Sequence, residues 1–116
     1  MQSEYCLNNK LECVARDQPN VVIMLQQSIK LEQPISFEIQ FPEDWNLAEF
    51  DGRLVGANMY MGRIPVTLIQ SSSNNLSGEM IVVACTHANM VWKLEVEVLL
   101  DNGQRKVIHW PFAMND

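Results

Sequence analysis

Strict alternation of apolar and polar residues in two stretches constrains the fold of this chain more than any other feature. Because successive side chains of a β-strand point to opposite faces, such stretches predict strands that bury one face. In PISFEIQF, residues 34–41, the apolar positions are Ile35, Phe37, Ile39 and Phe41. In VWKLEVEVLL, residues 91–100, they are Trp92, Leu94, Val96, Val98 and Leu100.

Turn residues join the second of these strands to a partner. The tripeptide DNG, residues 101–103, is a tight-turn signal, and QRKVIHWPF, residues 104–112, returns as the other strand of a hairpin. Pro111 cannot donate a backbone hydrogen bond, which favours a sheet edge or a strand end. Trp92 and Trp110 are expected to meet near the core. Short β-branched runs predict further strands in residues 10–15, 20–25, 51–57, 63–70 and 78–85.

Two other stretches are interpreted differently. SSSNNLSG, residues 71–78, predicts a polar loop, and PEDWNLAEF, residues 42–50, has room for a single helical turn. Short strands separated by turns favour an all-β fold, specifically a two-sheet antiparallel immunoglobulin-like sandwich of about seven strands. A small closed barrel is the alternative. Residues 1–116 are treated as one domain, with residues 1–19 as a less regular N-terminal segment.

Charge and hydropathy narrow the set of partners. The net charge is −6 and the eight Lys and Arg residues are scattered, so the basic surface that nucleic acid requires is missing. No apolar run approaches the roughly 20 residues that cross a bilayer, and we expect no direct membrane insertion. Another protein of the cell envelope is the partner that this sequence favours, and the oligomeric state is left open.

The N-terminus and the cysteines bear on location. MQSEYCLNNKLECVA lacks the basic and apolar regions of a signal peptide. The chain is then either cytosolic or an exported domain whose leader was trimmed, periplasmic or anchored facing the periplasm. The close spacing of Cys6 and Cys13 tilts toward the exported alternative. These two cysteines form a disulfide and leave Cys85 as an odd thiol, or all three are reduced and Cys85 is a small buried hydrophobe.

Sulfur-containing residues in two segments are the candidate metal ligands. Thioethers and thiolates are soft ligands suited to Cu(I), and imidazole also binds copper. These ligands converge if the loops that carry them cluster at one end of a sandwich. The alternative is that the methionines fill gaps in the core. The candidate ligands are Met59, Met61, Cys85, His87 and Met90.

Catalytic signatures are missing from the sequence. Cys85 and His87 share a face on an extended strand, but no third group is evident to orient the histidine. There is no G-x-S-x-G, phosphate-binding glycine loop or H-E-x-x-H. A blue-copper centre is disfavoured, because one residue separates Cys85 from His87 and the other histidine, His109, comes later in the chain. His109 is interpreted as a surface or packing residue, and we expect no enzyme.

Three motifs together resemble a known group of proteins. GANMYMGRIPV (56–66), ACTHANMVW (84–92) and a closing W-x-L-x-V-x-V…DNG hairpin look like small exported bacterial immunoglobulin-like domains, across roughly residues 34–112. That group is similar in layout to domains of copper handling and cytochrome-oxidase assembly. The resemblance implies a non-enzymatic periplasmic binding or accessory module, linked to Cu(I) binding or copper-site assembly. The alternative is a metal-free protein–protein interaction domain whose Met and Cys residues belong to the core.

Overall fold

Antiparallel β-strands make up the regular structure of this chain. The computed structural model describes residues 12–15, 18, 20–27, 30, 32–57, 62–82 and 90–114, the last of these with the backbone alone at residues 90 and 112–114. Within these ranges there is no helix, and hence none long and apolar enough to cross a membrane. The strands are β1 (Glu12–Val14), β2 (Val22–Leu25), β3 (Pro34–Gln40), β4 (Leu47–Gly56), β5 (Arg63–Ser72), β6 (Asn75–Ile81), β7 (Met90–Leu100) and β8 (Arg105–Met114).

The strands follow the order β1-β2-β3-β6-β5-β4-β7-β8, and every neighbouring pair is antiparallel. The predicted all-β antiparallel class is therefore confirmed. The described strands number eight rather than about seven, because the short segment around Cys13 pairs with β2. They form one continuous hydrogen-bonded order with β1 and β8 at its two ends.

One strand changes its partner along its length. The first residues of β5 pair with β4, with Val66 opposite Gly52. From Thr67 onward β5 pairs with β6 instead, and Thr67 lies opposite Glu79. The single backbone of β5 therefore joins the half of the fold that contains β4, β7 and β8 to the half that contains β1, β2, β3 and β6.

Inward-facing rows from all eight strands form the core. Every apolar position that alternation predicted in residues 34–41 and 91–100 is at most 5% exposed. Trp92 and Trp110 both belong to this buried cluster. Among the described residues the core contains no buried polar or charged residue, so apolar burial is the main stabilising contribution within it.

Two glycines make room for the strand that changes partner. A Cβ on Gly78 would lie 2.5 Å from Cζ of Phe37 and 2.8 Å from Cδ2 of Leu68. A Cβ on Gly52 would lie 2.9 Å from Cδ1 of the same leucine. Leu68 of β5 thus packs between the backbones of β4 and β6, which only residues without a side chain allow at this distance.

The β7–β8 hairpin matches its prediction. Leu100 and Gln104 close the turn with a 2.8 Å backbone hydrogen bond, and Gly103 has a φ of 91°. Hydrogen-bonded and non-hydrogen-bonded pairs alternate from that point, so the pair of Pro111 and Lys93 is non-hydrogen-bonded. The nitrogen of Pro111 therefore faces away from β7. This explains how proline is accommodated in β8, the last strand of the order.

One local prediction was wrong. The stretch 71–78, predicted as a loop, belongs mostly to the β5–β6 hairpin, in which only Ser73 and Asn74 form the turn. Its polar composition masked residues that have regular extended structure. The stretch 42–50 contains a single turn, in which the backbone N–H of Trp45 donates to the carbonyl of Pro42, and β4 begins at Leu47.

Candidate functional site

Four strand ends, those of β4, β5, β7 and β8, meet at one end of the sheet, which we call the β4–β7 end. Val55, near the end of β4, pairs with Arg63 at the start of β5. Directly after β4, the backbone N–H of Ala57 donates to the carbonyl of Val91 at 2.8 Å. The chain that leaves β4 therefore begins beside the first residues of β7.

Both predicted ligand segments are attached to this end. Met59 and Met61 lie in the link between β4 and β5, and Cys85 and His87 lie in the link between β6 and β7. All four residues lie outside the described residues, so their role stays a prediction. What the structure brings together is the end of β4, where the first link begins, and the start of β7, where the second link ends.

Met90, the fifth predicted ligand, is the first residue of β7. Its position alternates with that of Val91 and so belongs to the row of β7 whose next member, Trp92, is buried. The position opposite Met90 is Met114 of β8, a methionine outside the two motifs that predicted the ligands. Counting outward from the DNG turn leads to it, because each methionine is nine positions from the first paired residues, Leu99 and Arg105.

Charged side chains on the outward face of β4, β7 and β8 form an ion-pair network. At its centre Arg53 donates from Nε to Oε1 of Glu95 at 2.6 Å and from Nη1 to Oδ2 of Asp51 at 3.0 Å. Its Nη2 also lies 3.5 Å from Oε1 of Glu97. The Arg53 side chain is only 14% exposed, so these contacts are partly shielded from water.

The network extends to β8. Arg105 donates from Nη1 to Oε2 of Glu97 at 2.8 Å. Oε2 of Glu95 lies 3.3 Å from Nδ1 of His109 and 3.7 Å from Nζ of Lys93. His109 is thus a partly exposed neighbour of a carboxylate, in keeping with its interpretation as a surface or packing residue.

The proximity of opposite charges changes two pKa values. Burial alone would raise the pKa of Glu95, but the hydrogen bond and charge of Arg53, with His109 and Lys93, outweigh it and lower that pKa. Burial likewise opposes the charged form of Arg53, yet Glu95, Asp51 and Glu97 raise the pKa of the guanidinium. Both groups are therefore held in their charged forms at neutral pH.

This network has the chemistry of a structural surface. Each carboxylate in it faces at least one cation, so the charges of this surface are paired with one another. Within the described ranges no three His, Cys, Asp or Glu residues come together in a way that would hold a metal ion. The candidate site is therefore the β4–β7 end, and the network flanks it.

Cys13 is the one cysteine in the described ranges. It is 6% exposed and disulfide-bonded. The chain has two other cysteines, Cys6 and Cys85, both outside the described residues. The sequence left two alternatives, a disulfide or three reduced cysteines. The second alternative is wrong, because Cys13 is oxidised.

Comparison with known proteins supports the fold class. No protein-family model matches the chain, and no curated protein matches it significantly. A solved structure, that of a DUF4785 family protein from Legionella pneumophila subsp. pneumophila str. Philadelphia 1, is similar with a TM-score of 0.62 and 18% sequence identity. The match covers 82% of this chain and 28% of the other one. The chain is thus similar in fold to about a quarter of a longer protein.

Proposed function

We propose that this chain is a non-enzymatic binding module of the bacterial cell envelope that holds a soft metal ion, Cu(I), at the β4–β7 end. The observation that carries the proposal is the 2.8 Å hydrogen bond between Ala57 and Val91. It ties the end of β4, where one sulfur-containing link begins, to the start of β7, where the other ends. Such a module takes part in the assembly of a copper site in a partner protein.

Chain connectivity limits how far the ligands are from one another. A chain spans at most about 3.6 Å per residue. Met59 follows Ala57 by two residues, so its Cα lies within about 7 Å of that of Ala57. Met90 directly precedes Val91, the hydrogen-bond partner of Ala57. Two thioethers therefore start from neighbouring backbone positions, and thioethers prefer Cu(I).

The disulfide at Cys13 supports a location outside the cytosol. Structural disulfides persist in oxidising compartments such as the periplasm and are rare in the cytosol. The resemblance of the GANMYMGRIPV and ACTHANMVW segments to exported domains points the same way. The envelope is also where a module for copper handling would meet its partner.

The same proposal includes the finer architecture, a two-sheet immunoglobulin-like sandwich. The change of partner within β5 at Val66 and Thr67 supports it, because strands that pass between two sheets pair differently in their two halves. A closed barrel would require β1 to pair with β8, and the described residues contain no such pairing. Side-chain NOEs between Phe37 of β3 and Leu94 of β7 would test it, since facing sheets pack about 10 Å apart. Absence of NOEs between these halves would contradict the sandwich.

A titration with Cu(I) tests the metal site. The oxidised chain is titrated under nitrogen, with ascorbate and a competing Cu(I) chelator, beside a Met59→Leu/Met61→Leu variant. Leucine keeps the volume and removes the sulfur. We expect one ion bound by the unchanged chain and at least tenfold weaker binding by the variant.

Matched variants locate the site. Met24→Leu alters a methionine of β2 and should leave Cu(I) binding unchanged. Met90→Leu and Met114→Leu, whose positions face each other across β7 and β8, show whether either thioether contributes. No binding, or equal binding by the unchanged chain and the Met59→Leu/Met61→Leu variant, would contradict the metal site.

A metal-free interaction module is the second candidate. The observation that favours it is the outer edge of β8, where Val107 is 41% exposed and the described strands pair only on the β7 side. An exposed edge strand accepts a strand from a partner. Suppose that neither the unchanged chain nor the Met59→Leu/Met61→Leu variant binds copper, and that the variant has the lower thermal stability. The methionines are then packing residues, and this second function is favoured.

A further inference from the structure

The outward face of β1, β2, β3, β6 and β5 differs in chemistry from the rest of the described surface. Pairing aligns one residue from each strand in a row, and directly paired residues of antiparallel strands project to the same face. The adjacent row, from Cys13 to Leu76, is buried, so this row faces outward. Its members are Glu12, Met24, Glu38, Ser77 and Ile69.

Exposed aliphatic side chains are concentrated on this face. Ile69 is 65% exposed, Val14 53% and Ile81 43%. They are three of the four exposed large hydrophobic residues in the described ranges, and the fourth, Val107, lies on β8. They stand apart from one another, since the register places Val14 level with Asn75 and Ile69 level with Ser77. Each therefore offers a separate apolar contact among polar residues.

The charge of this face has a single sign. Glu12, Glu38 and Glu79 form no ion pair in the described part of the chain. The residues of β1, β2, β3 and β6, and those of β5 from Thr67 onward, include no Lys or Arg. The one basic residue of β5, Arg63, lies at its start beside β4. In the ion-pair network on β4, β7 and β8, by contrast, each carboxylate lies beside a cation such as Arg53 or Arg105. The acidic groups are therefore neutralised on one surface and left unneutralised on the other.

We propose that this outward face, which we call the acidic face, binds a basic amphipathic segment of a partner protein. Lys and Arg of that segment would pair with Glu12, Glu38 and Glu79, and its apolar residues would cover Ile69 and Ile81. Five strands about 4.8 Å apart span about 19 Å, the length of a helix of about 13 residues. A second copy of this chain is the wrong occupant, because its charge is also −6. The proposal concerns a different surface from the metal site and does not depend on it.

A peptide titration followed by NMR tests the proposal. The isotope-labelled chain is titrated with an amphipathic helical peptide of about 14 residues made of Lys and Leu. Two matched peptides, one with Glu in place of Lys and one with Gln in place of Leu, separate the charge from the apolar contribution. We expect binding of the Lys/Leu peptide alone, with shift changes confined to amides of β1, β2, β3, β6 and the second half of β5.

Paired variants give the proposal its control. Glu38→Gln/Glu79→Gln should weaken binding of the Lys/Leu peptide about five- to tenfold at low salt, because two exposed ion pairs are lost. Glu49→Gln/Asp51→Asn removes the same charge from β4 and should change affinity less than twofold. Equal weakening by both pairs, shift changes on β7 and β8, or no binding would overturn the proposal. So would dimerisation through the acidic face in sedimentation velocity, since that identifies a second copy as the occupant.

Discussion

At the scale of single residues, Arg53 and Glu95 show how a partly buried charge is maintained on a sheet. Each side chain is about 15% exposed, and a 2.6 Å charged hydrogen bond joins them. Removal of either partner would leave the other charge desolvated without its counterion, which is more costly than losing an exposed pair. This pair is therefore expected to stabilise the β4–β7 contact more than the outlying Asp51 does.

Glu95→Gln should lower the free energy of unfolding by about 1 kcal/mol at pH 7. The folded-state pKa of Glu95 lies below its ordinary value of 4.5. Its contribution is therefore complete above pH 4.5 and is lost as the pH falls through the folded-state pKa. Urea unfolding of both chains between pH 7 and pH 3 measures this, and the two curves should converge in acid.

Glu79→Gln is the matched control for that measurement. Glu79 lies on a strand and is exposed, but it has no ion pair in the described ranges. We expect it to change the free energy of unfolding by less than about 0.5 kcal/mol at every pH. If Glu95→Gln behaves like this control at pH 7, the Arg53 pair does not stabilise the fold.

Gly78→Ala should destabilise the chain by about 1–3 kcal/mol. The new methyl group would lie 2.5 Å from the ring of Phe37, which must then leave its rotamer. Gly52→Ala should cost less, because its closest contact is the flexible tip of Leu68 at 2.9 Å. Chemical denaturation measures both. A double-mutant cycle with Phe37→Leu should show that the cost of Gly78→Ala shrinks when the ring is removed.

At the scale of elements, alternation predicted the strands that have one continuous apolar face. β3, β7 and β8 are found where PISFEIQF, VWKLEVEVLL and QRKVIHWPF placed them. The loop prediction for residues 71–78 failed for a physical reason. Gly78 leaves room for Phe37 instead of supplying an apolar side chain itself, so the inward face of β6 is hidden in the sequence.

The β7–β8 turn allows a prediction at the same scale. Gly103 has a φ of 91°, a conformation that costs residues with a Cβ about 1 kcal/mol. Gly103→Ala should therefore lower the free energy of unfolding by about that amount, and Gly103→Asn by less, because asparagine tolerates positive φ better. Thermal unfolding compares the three chains. Equal losses for alanine and asparagine would mean that backbone conformation is not the cause.

At the scale of the whole molecule, the disulfide is the feature that composition alone left open. Cys13 pairs with Ile23, and that row continues through Ile39 to Leu76. Cys85 comes three residues after Val82, and the six residue steps from Leu76 to Val82 cover about 20 Å. A disulfide requires the two Cα atoms to lie within about 7 Å of each other. These lengths therefore favour Cys6 over Cys85 as the partner of Cys13.

Peptide mapping under non-reducing conditions should accordingly find Cys13 joined to Cys6 and Cys85 alkylated as a free thiol. Reduction should lower stability by about 2 kcal/mol or more, in line with the loss of a small covalent loop. Recovery of a Cys13–Cys85 peptide would remove Cys85 from the set of copper ligands. It would leave Met59, Met61, His87 and Met90 to be tested as ligands.

The candidate site was less predictable than the fold. Spacing in the sequence suggested candidate soft ligands but not their relative positions, because the contact between Ala57 and Val91 joins segments 34 residues apart. Met114 was missed although the hairpin count leads to it. The contrast between the two outward faces depends on strand order, since β6 lies beside β3 and not β7, and local patterns carry no information about that order.

The change of partner within β5 has a consequence for how the fold opens. Strands can fray from β1 or from β8 one at a time, because each end strand has a neighbour on one side only. β5 is held by β4 in its first half and by β6 in its second, so loss of either end strand leaves all of its pairing intact. Hydrogen exchange should therefore be slower around Val66 and Leu68 than in β1 and β8.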